Sequence, residues 1–314
     1  MSYSFLISEQ NWRSRLEPLL TEPVTVYKEA LTNNHYEGDI KSKATLNIIT
    51  LGELTYGSYT GTDITFQTPT ETTTTFNIDQ SPYVAFAIDD PAQVTTEIKL
   101  VDIYSERMAY WIKRAYDDYL GSLYTEIVTN VVGANGTTAW SKAGLAGNGP
   151  VIVGFDNTAN QILPSVALTA MRQAAVQNNA PFVKPNVVIP PWLDTMIRQE
   201  LSIRVGELGD KTKMSGVSTG KAELLAGFAG WSDFYITNLV PNTSGAAYQI
   251  MGGDPDSSIT FASALEKVEA LRIQARFATG VKTLAVFGAT IPFEGNMALG
   301  VFTPGTYLTN PRSF

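Results

Sequence analysis

Cysteine is absent from all 314 residues, and histidine occurs once, as His35. The first absence excludes disulfides, thiolate metal centres and a cysteine nucleophile. The second leaves almost nothing from which to build a zinc site or a histidine-based triad. Long apolar runs are missing too, since nothing approaches the roughly 18 residues that cross a bilayer as a helix. The N-terminal "MSYSFLISEQNWRSRLEPLL" carries only the short apolar run Phe5 to Ile7 and no small-residue cleavage site, so it does not read as a signal peptide. The sequence therefore reads as cytosolic and soluble. Basic charge is scarce: Lys+Arg is 22 against Asp+Glu 30, a formal net charge of −8. A chain that gripped nucleic acid across its whole surface would be basic, because phosphate neutralisation supplies most of that affinity. This one is not.

The sharpest gap lies between Lys43 and Lys99, where no lysine or arginine occurs but seven acids do: Glu53, Asp63, Glu71, Asp79, Asp89, Asp90 and Glu97. Such a stretch repels phosphates and suits a neutral or basic protein surface. Its apolar residues alternate. Leu46 and Ile48, Ile64 and Phe66, Phe76 and Ile78, then Val84, Phe86 and Ile88 all hold even positions among polar or small neighbours. That is one-faced strand patterning. Proline in "TPTE" (68–71) predicts a turn pairing 62–67 with 72–78, and the glycine-rich "GELTYGSYTGTD" predicts a mobile tip.

Asp90-Pro91 with Gln93 predicts a helix start, aspartate capping and proline in the first turn. Behind it an apolar seam runs from Val94 through Met108 and Ile112 to Leu123 and closes near Val132-Gly133. A helix of that extent is roughly 55 Å long. Lys113/Asp117 and Arg114/Asp118 sit one turn apart and read as surface ion pairs. Residues 1–40 read as a loose arm, with Trp12, Leu16, Leu19 and Leu20 sharing one helical face. Beyond the long helix the pattern gives a glycine-rich loop at 133–155, helices at about 160–178 and 192–205, and short strands in "NVVIPP", "DFYITNLVP" and "AAYQIM". Two long strands between Leu265 and Phe293 then turn at Ala278-Thr279-Gly280. The class is α+β, without the βαβ alternation of a parallel sheet.

No motif supports enzymatic chemistry. "SGVSTGKAE" (215–223) has three residues between Gly216 and Gly220 where a phosphate-binding loop has four, and Ala222 stands where a magnesium-holding hydroxyl belongs. Asp89-Asp90 and Asp117-Asp118 read as a cap and as ion pairing, not as metal ligands. No cofactor, catalytic residue or metal is expected.

The order of elements resembles the major capsid proteins of tailed bacteriophages, a fold shared with herpesvirus shells and encapsulins. "FNIDQSPYVAFAIDD" is similar to the returning strand of that family's extended loop, and "VDIYSERMAYWIKRAYDDYL" to its spine helix. "LLAGFAGWSDFYITNLVP" and "FATGVKTLAVFGATIPFEG" resemble its later segments. The resemblance implies a non-enzymatic shell protein, assembled in the host cytoplasm and resident in the virion. It forms pentamers and hexamers around loosely held double-stranded DNA, with portal and scaffolding proteins as partners and no membrane. It also implies an arm at 1–40, an extended β-hairpin loop at 41–90, a peripheral domain at 91–134 and 264–290, and an axial domain at 135–263 and 291–314. The arm begins almost at once, so the scaffold is expected as a separate protein. Some relatives fuse subunits through a lysine on the loop, and this loop has none, which implies a non-covalent shell. Expected contacts between subunits are Ile64, Phe66, Phe76 and Ile78 on the loop, and Arg107, Lys113 and Arg114 on the helix. An encapsulin-type compartment and a phage tail or adhesion protein are the alternatives.

Overall fold

A computed structural model describes residues 25–35, 45–51, 54–59, 61, 66–89, 100–133, 149–156, 160–208, 227–243, 247–273 and 277–307. The expected N-terminal helical face at 12–20, the helix start at Asp90-Pro91 and the 215–223 loop lie outside these residues, as does Ile64. Among the described residues no helix is long and apolar enough to cross a membrane.

The chain opens with a short helix, α1 (Val26–Leu31), and a two-residue strand, β1 (Thr32–Asn33). Next come β2 (Thr45–Leu51), β3 (Glu71–Asn77) and β4 (Tyr83–Asp89), then α2 (Leu100–Ser122). A single 3₁₀ turn, Leu123–Glu126, ends that helix. The remaining elements are β5 (Val131–Val132), β6 (Val151–Val153), α3 (Pro164–Gln177), β7 (Asn186–Ile189) and α4 (Pro191–Leu208). β8 (Asp233–Ile236), β9 (Asn242–Thr243), β10 (Ala247–Gly253), β11 (Ile259–Ile273), β12 (Ala278–Thr290) and β13 (Met297–Pro304) complete the fold. The architecture is α+β, as the sequence implied.

The four-stranded sheet has the order β1-β11-β12-β4 and is built on one long antiparallel ribbon. Ile273 pairs with Ala278, so the two strands are already paired at those residues. The expected turn at Ala278-Thr279-Gly280 is corrected: those residues are already strand, with Gly280 opposite Leu271. α2 covers one face of this ribbon. Its buried stripe is Met108, Ile112, Tyr116, Leu120 and Leu123, spaced to keep one face inward. Tyr116 meets Phe287 and Phe261 edge-on at 4.5 and 5.5 Å between ring centroids. Pairs of this geometry are each worth about 0.5–1.5 kcal/mol beyond area burial.

The helix ends earlier than the seam suggested. Its 23 residues from Leu100 span about 35 Å. Val131 and Val132, expected as its last turn, instead form a strand beside Leu299 and Gly300 of β13.

The second sheet has seven strands, five of them in the order β5-β13-β10-β7-β8, with β6 on β13 and β9 on β10. β7 is "NVVI" and buried at every position, as a strand covered on both faces should be. α3 buries Ala167, Leu168, Met171 and Ala175, and α4 buries Leu193, Met196 and Ile197. α3 begins at Leu163 without a capping side chain of its own. Glu200 of α4 supplies it: its carboxylate accepts the Ser165 backbone N–H at 2.9 Å and the Ser165 hydroxyl. A carboxylate is well placed at a helix N-terminus, and here it ties the two helices together. Trp231, fully buried, donates its indole N–H to Leu168 O at 3.1 Å and lies on Gly252.

Candidate assembly surfaces

The hairpin is where a shell protein's contacts were expected, and its pairing differs from the sequence reading. β3 pairs with β2, Thr45 opposite Asn77 and Leu51 opposite Glu71, rather than with 62–67. The connection is therefore the long segment 52–70, and "TPTE" enters β3 instead of turning a tight hairpin.

Its alternation divides the hairpin as the even positions indicated, but the base and the tip have different fates. At the base, Ile48 and Phe76 are buried with Ala262 of β11, and Leu46 and Ile78 pack around them. Phe76 is 0% exposed. The backbone also closes down here: Gln80 and Phe287 exchange N–H···O bonds of 3.1 and 2.9 Å. A Cβ on Gly288 would stand 2.1 Å from the Asn77 carbonyl oxygen, so only glycine fits beneath the crossing. Phe76, expected to await a neighbour, is thus covered by its own subunit, and Ile78 is partly covered. The physical reason is that β11 runs on far enough to present Ala262, a small residue, beneath the aromatic ring.

The tip is different. Tyr56 is 100% exposed, Tyr59 74% and Phe66 92%, with Leu54 and Ile49 also in solvent. A clamp spans the tip: Thr55 N–H donates to Gln67 Oε1 at 2.9 Å, and Gln67 Nε2 donates to Thr55 O at 2.8 Å and to its hydroxyl at 2.7 Å. So the exposed aromatics ride on a braced loop. Single exposed apolar residues are ordinary, but three exposed rings within a dozen residues make this loop a candidate contact surface.

On α2, Arg107 and Lys113 are exposed and Arg114 is half-buried. Arg114 pairs with Asp118 at 3.8 Å, as expected, and stacks over the exposed Trp111 ring at 5.3 Å. Asp117 departs from expectation. Instead of pairing with Lys113 on the surface it is fully buried, and accepts the backbone N–H groups of Val26 at 2.6 Å and Lys28 at 3.4 Å. The signal for this was out of reach of local spacing, since the donors lie about ninety residues earlier in the chain. Exposed Tyr83 on β4, opposite Leu284 of β12, adds an apolar edge to the ribbon's outer face that the alternation alone did not single out. Among the described residues, no three His, Asp or Glu side chains gather where a metal ion would need them.

Neither a protein-family model nor a curated protein matches the sequence. Solved structures do. One from Mycobacterium phage Che8 is 20% identical with a TM-score of 0.62, covering 90% of this chain and 92% of that one. The capsid structure of the cyanophage P-SCSP1u matches at 14% identity and a TM-score of 0.58, over 88% of this chain and 86% of that one. This chain has the phage capsid fold. The capsid of a native gene transfer agent (GTA) particle matches at 13% and 0.55, over 91% and 92%. Coverage this complete means that the likeness extends over most of both chains and is not confined to one shared motif.

Proposed function

We propose that this chain is a major capsid protein whose copies assemble as pentamers and hexamers into a closed icosahedral shell around a double-stranded DNA genome. The observation that carries the reading is the near-complete overlap, on both chains, with the cyanophage and gene transfer agent capsids at TM-scores of 0.58 and 0.55. The braced, aromatic, cation-free hairpin tip supports it, because a surface with no cover of its own is what a tiling subunit offers its neighbour. In this reading the hairpin base belongs to its own subunit and the tip belongs to the next. The acidic tip lies against the basic side of a neighbouring α2, where Arg107, Lys113 and Arg114 project. The ribbon with α2 and β4 serves as the peripheral domain and the seven-stranded sheet as the axial domain. The chain acts structurally rather than as an enzyme, and its acidic balance leaves DNA loosely held for packaging through a portal.

Expression of the full chain, alone and with a candidate scaffold, tests the reading. Sedimentation and negative-stain microscopy should show closed shells in at least one case. Only small oligomers, tubes or fibres in both would overturn it.

A further inference from the structure

Lys113 is left without the partner its spacing offers. Asp117, one turn further along α2, is buried and accepts the Val26 and Lys28 backbone N–H groups instead. Lys28 is in the same position. It holds its ammonium over the Phe261 ring at 4.6 Å and the Tyr116 ring at 5.8 Å. Among the described residues, neither lysine has a carboxylate within ion-pair distance.

Both lysines line one cavity of about 550 Å³, bounded by the 25–35 segment, α2 and the turn before β11. Asn33 gives it shape: its side-chain N–H donates to Asp256 O at 3.1 Å, and its side-chain oxygen accepts the His35 backbone N–H at 3.4 Å. Glu29, Asp256 and His35 also line the cavity. Two ammonium groups beside two carboxylates leave little surplus positive charge, so a phosphate backbone is poorly served here. A single carboxylate suits it better, reaching the lysines from a backbone whose uncharged neighbours can donate to Glu29 and Asp256.

The chain carries such a segment. "TPTETTTT" (68–75) sets Glu71 among threonines, inside the stretch from Lys43 to Lys99 that has no other lysine or arginine. Glu71 opens β3 at the tip end of the hairpin, is exposed and makes no ion pair. The other described hairpin acids fit less well: Asp79 accepts from Gln80 Nε2 at 2.9 Å at the base, and Asp89 lies at the end of β4 opposite Ala278. Glu71 does not line its own subunit's cavity, so a second copy must supply it. We propose that the cavity between the 25–35 segment and α2 receives the Glu71 carboxylate of a neighbouring copy, seated between Lys28 and Lys113. This rests on the capsid reading and names the seat of one tip residue within it.

A zero-length carbodiimide crosslinker, applied to purified particles and to free subunits of the full chain, tests the pairing by peptide mapping. Particles should give Glu71 joined to Lys28 or Lys113, and free subunits should not. Glu71→Lys should raise the concentration at which particles form by about tenfold, and adding Lys113→Glu to it should bring that concentration back toward wild type. Particles that form normally but lack the link would overturn the proposal and leave the capsid reading standing. So would a link equally strong in free subunits, a Glu71→Lys chain that assembles like wild type, or a double variant that recovers nothing. A wild-type chain that forms no particles would overturn both.

Discussion

Phe76 and Phe66 share a hairpin and an even-numbered parity, yet the structure buries one and exposes the other. Phe76 is 0% exposed against Ile48 and Ala262, whereas Phe66 is 92% exposed. Phe76→Ala removes a buried ring from a site whose floor is fixed β-sheet, so relaxation is limited. The expected loss is about 3–5 kcal/mol of subunit stability, lost transfer energy plus the cavity left behind. Phe66→Ala removes a ring that is 92% exposed in its own subunit, so the unfolding midpoint of the free chain should hold to within about 0.5 kcal/mol. The cost appears only on assembly. If a neighbour buries the ring, each contact loses about 1.5–3 kcal/mol, and the concentration at which particles form should rise by about 10- to 100-fold. Urea denaturation of the unassembled subunit reads the first quantity, and sedimentation across a concentration series reads the second. If Phe66→Ala destabilised the free subunit by more than about 1 kcal/mol, or left the assembly threshold unmoved, the division of the hairpin into own base and neighbour's tip would be wrong.

Gly288→Ala should destabilise the subunit by about 1–3 kcal/mol, because the new methyl meets the Asn77 backbone at 2.1 Å and neither strand can give way cheaply; thermal unfolding measures it. Arg107→Glu should lower particle yield while leaving the unfolding midpoint in place, since Arg107 is exposed on α2; normal yield would remove that residue from the proposed interface. Mature particles boiled in detergent should run as a single monomer band, because no lysine occurs between Lys43 and Lys99 to fuse the hairpin to a neighbour. A ladder of multimers would show a crosslink from elsewhere in the chain.

What could be read in advance, and what could not, divides along the range of the interactions involved. α3 and α4 came within a few residues of their observed ends because their apolar spacing and flanking prolines are local signals. β7 was equally plain, since "NVVI" is apolar on both faces. α2 was overextended because Leu123 and Ile127 keep the helical rhythm. What ends it is pairing of Val131 and Val132 with β13, more than 160 residues later. β13 itself went unread: "MALGVFTP" mixes glycine and proline into its apolar run, and only the sheet around it fixes its state. Alternation in the hairpin named the correct face but not its occupant, since period two reports which side is apolar and not who covers it. Asp117 shows the same limit. Its spacing from Lys113 was right for a surface pair, and the amides that bury it come from α1.

The central claim is that the hairpin tip is finished by another copy of the chain. Hydroxyl-radical footprinting of Tyr56, Tyr59 and Phe66, in free subunits and in purified particles, tests it most directly. All three rings are open in the single chain, so oxidation should be fast in subunits and strongly suppressed in particles, with Phe76 slow in both. Equal labelling of the tip in the two states would contradict the account.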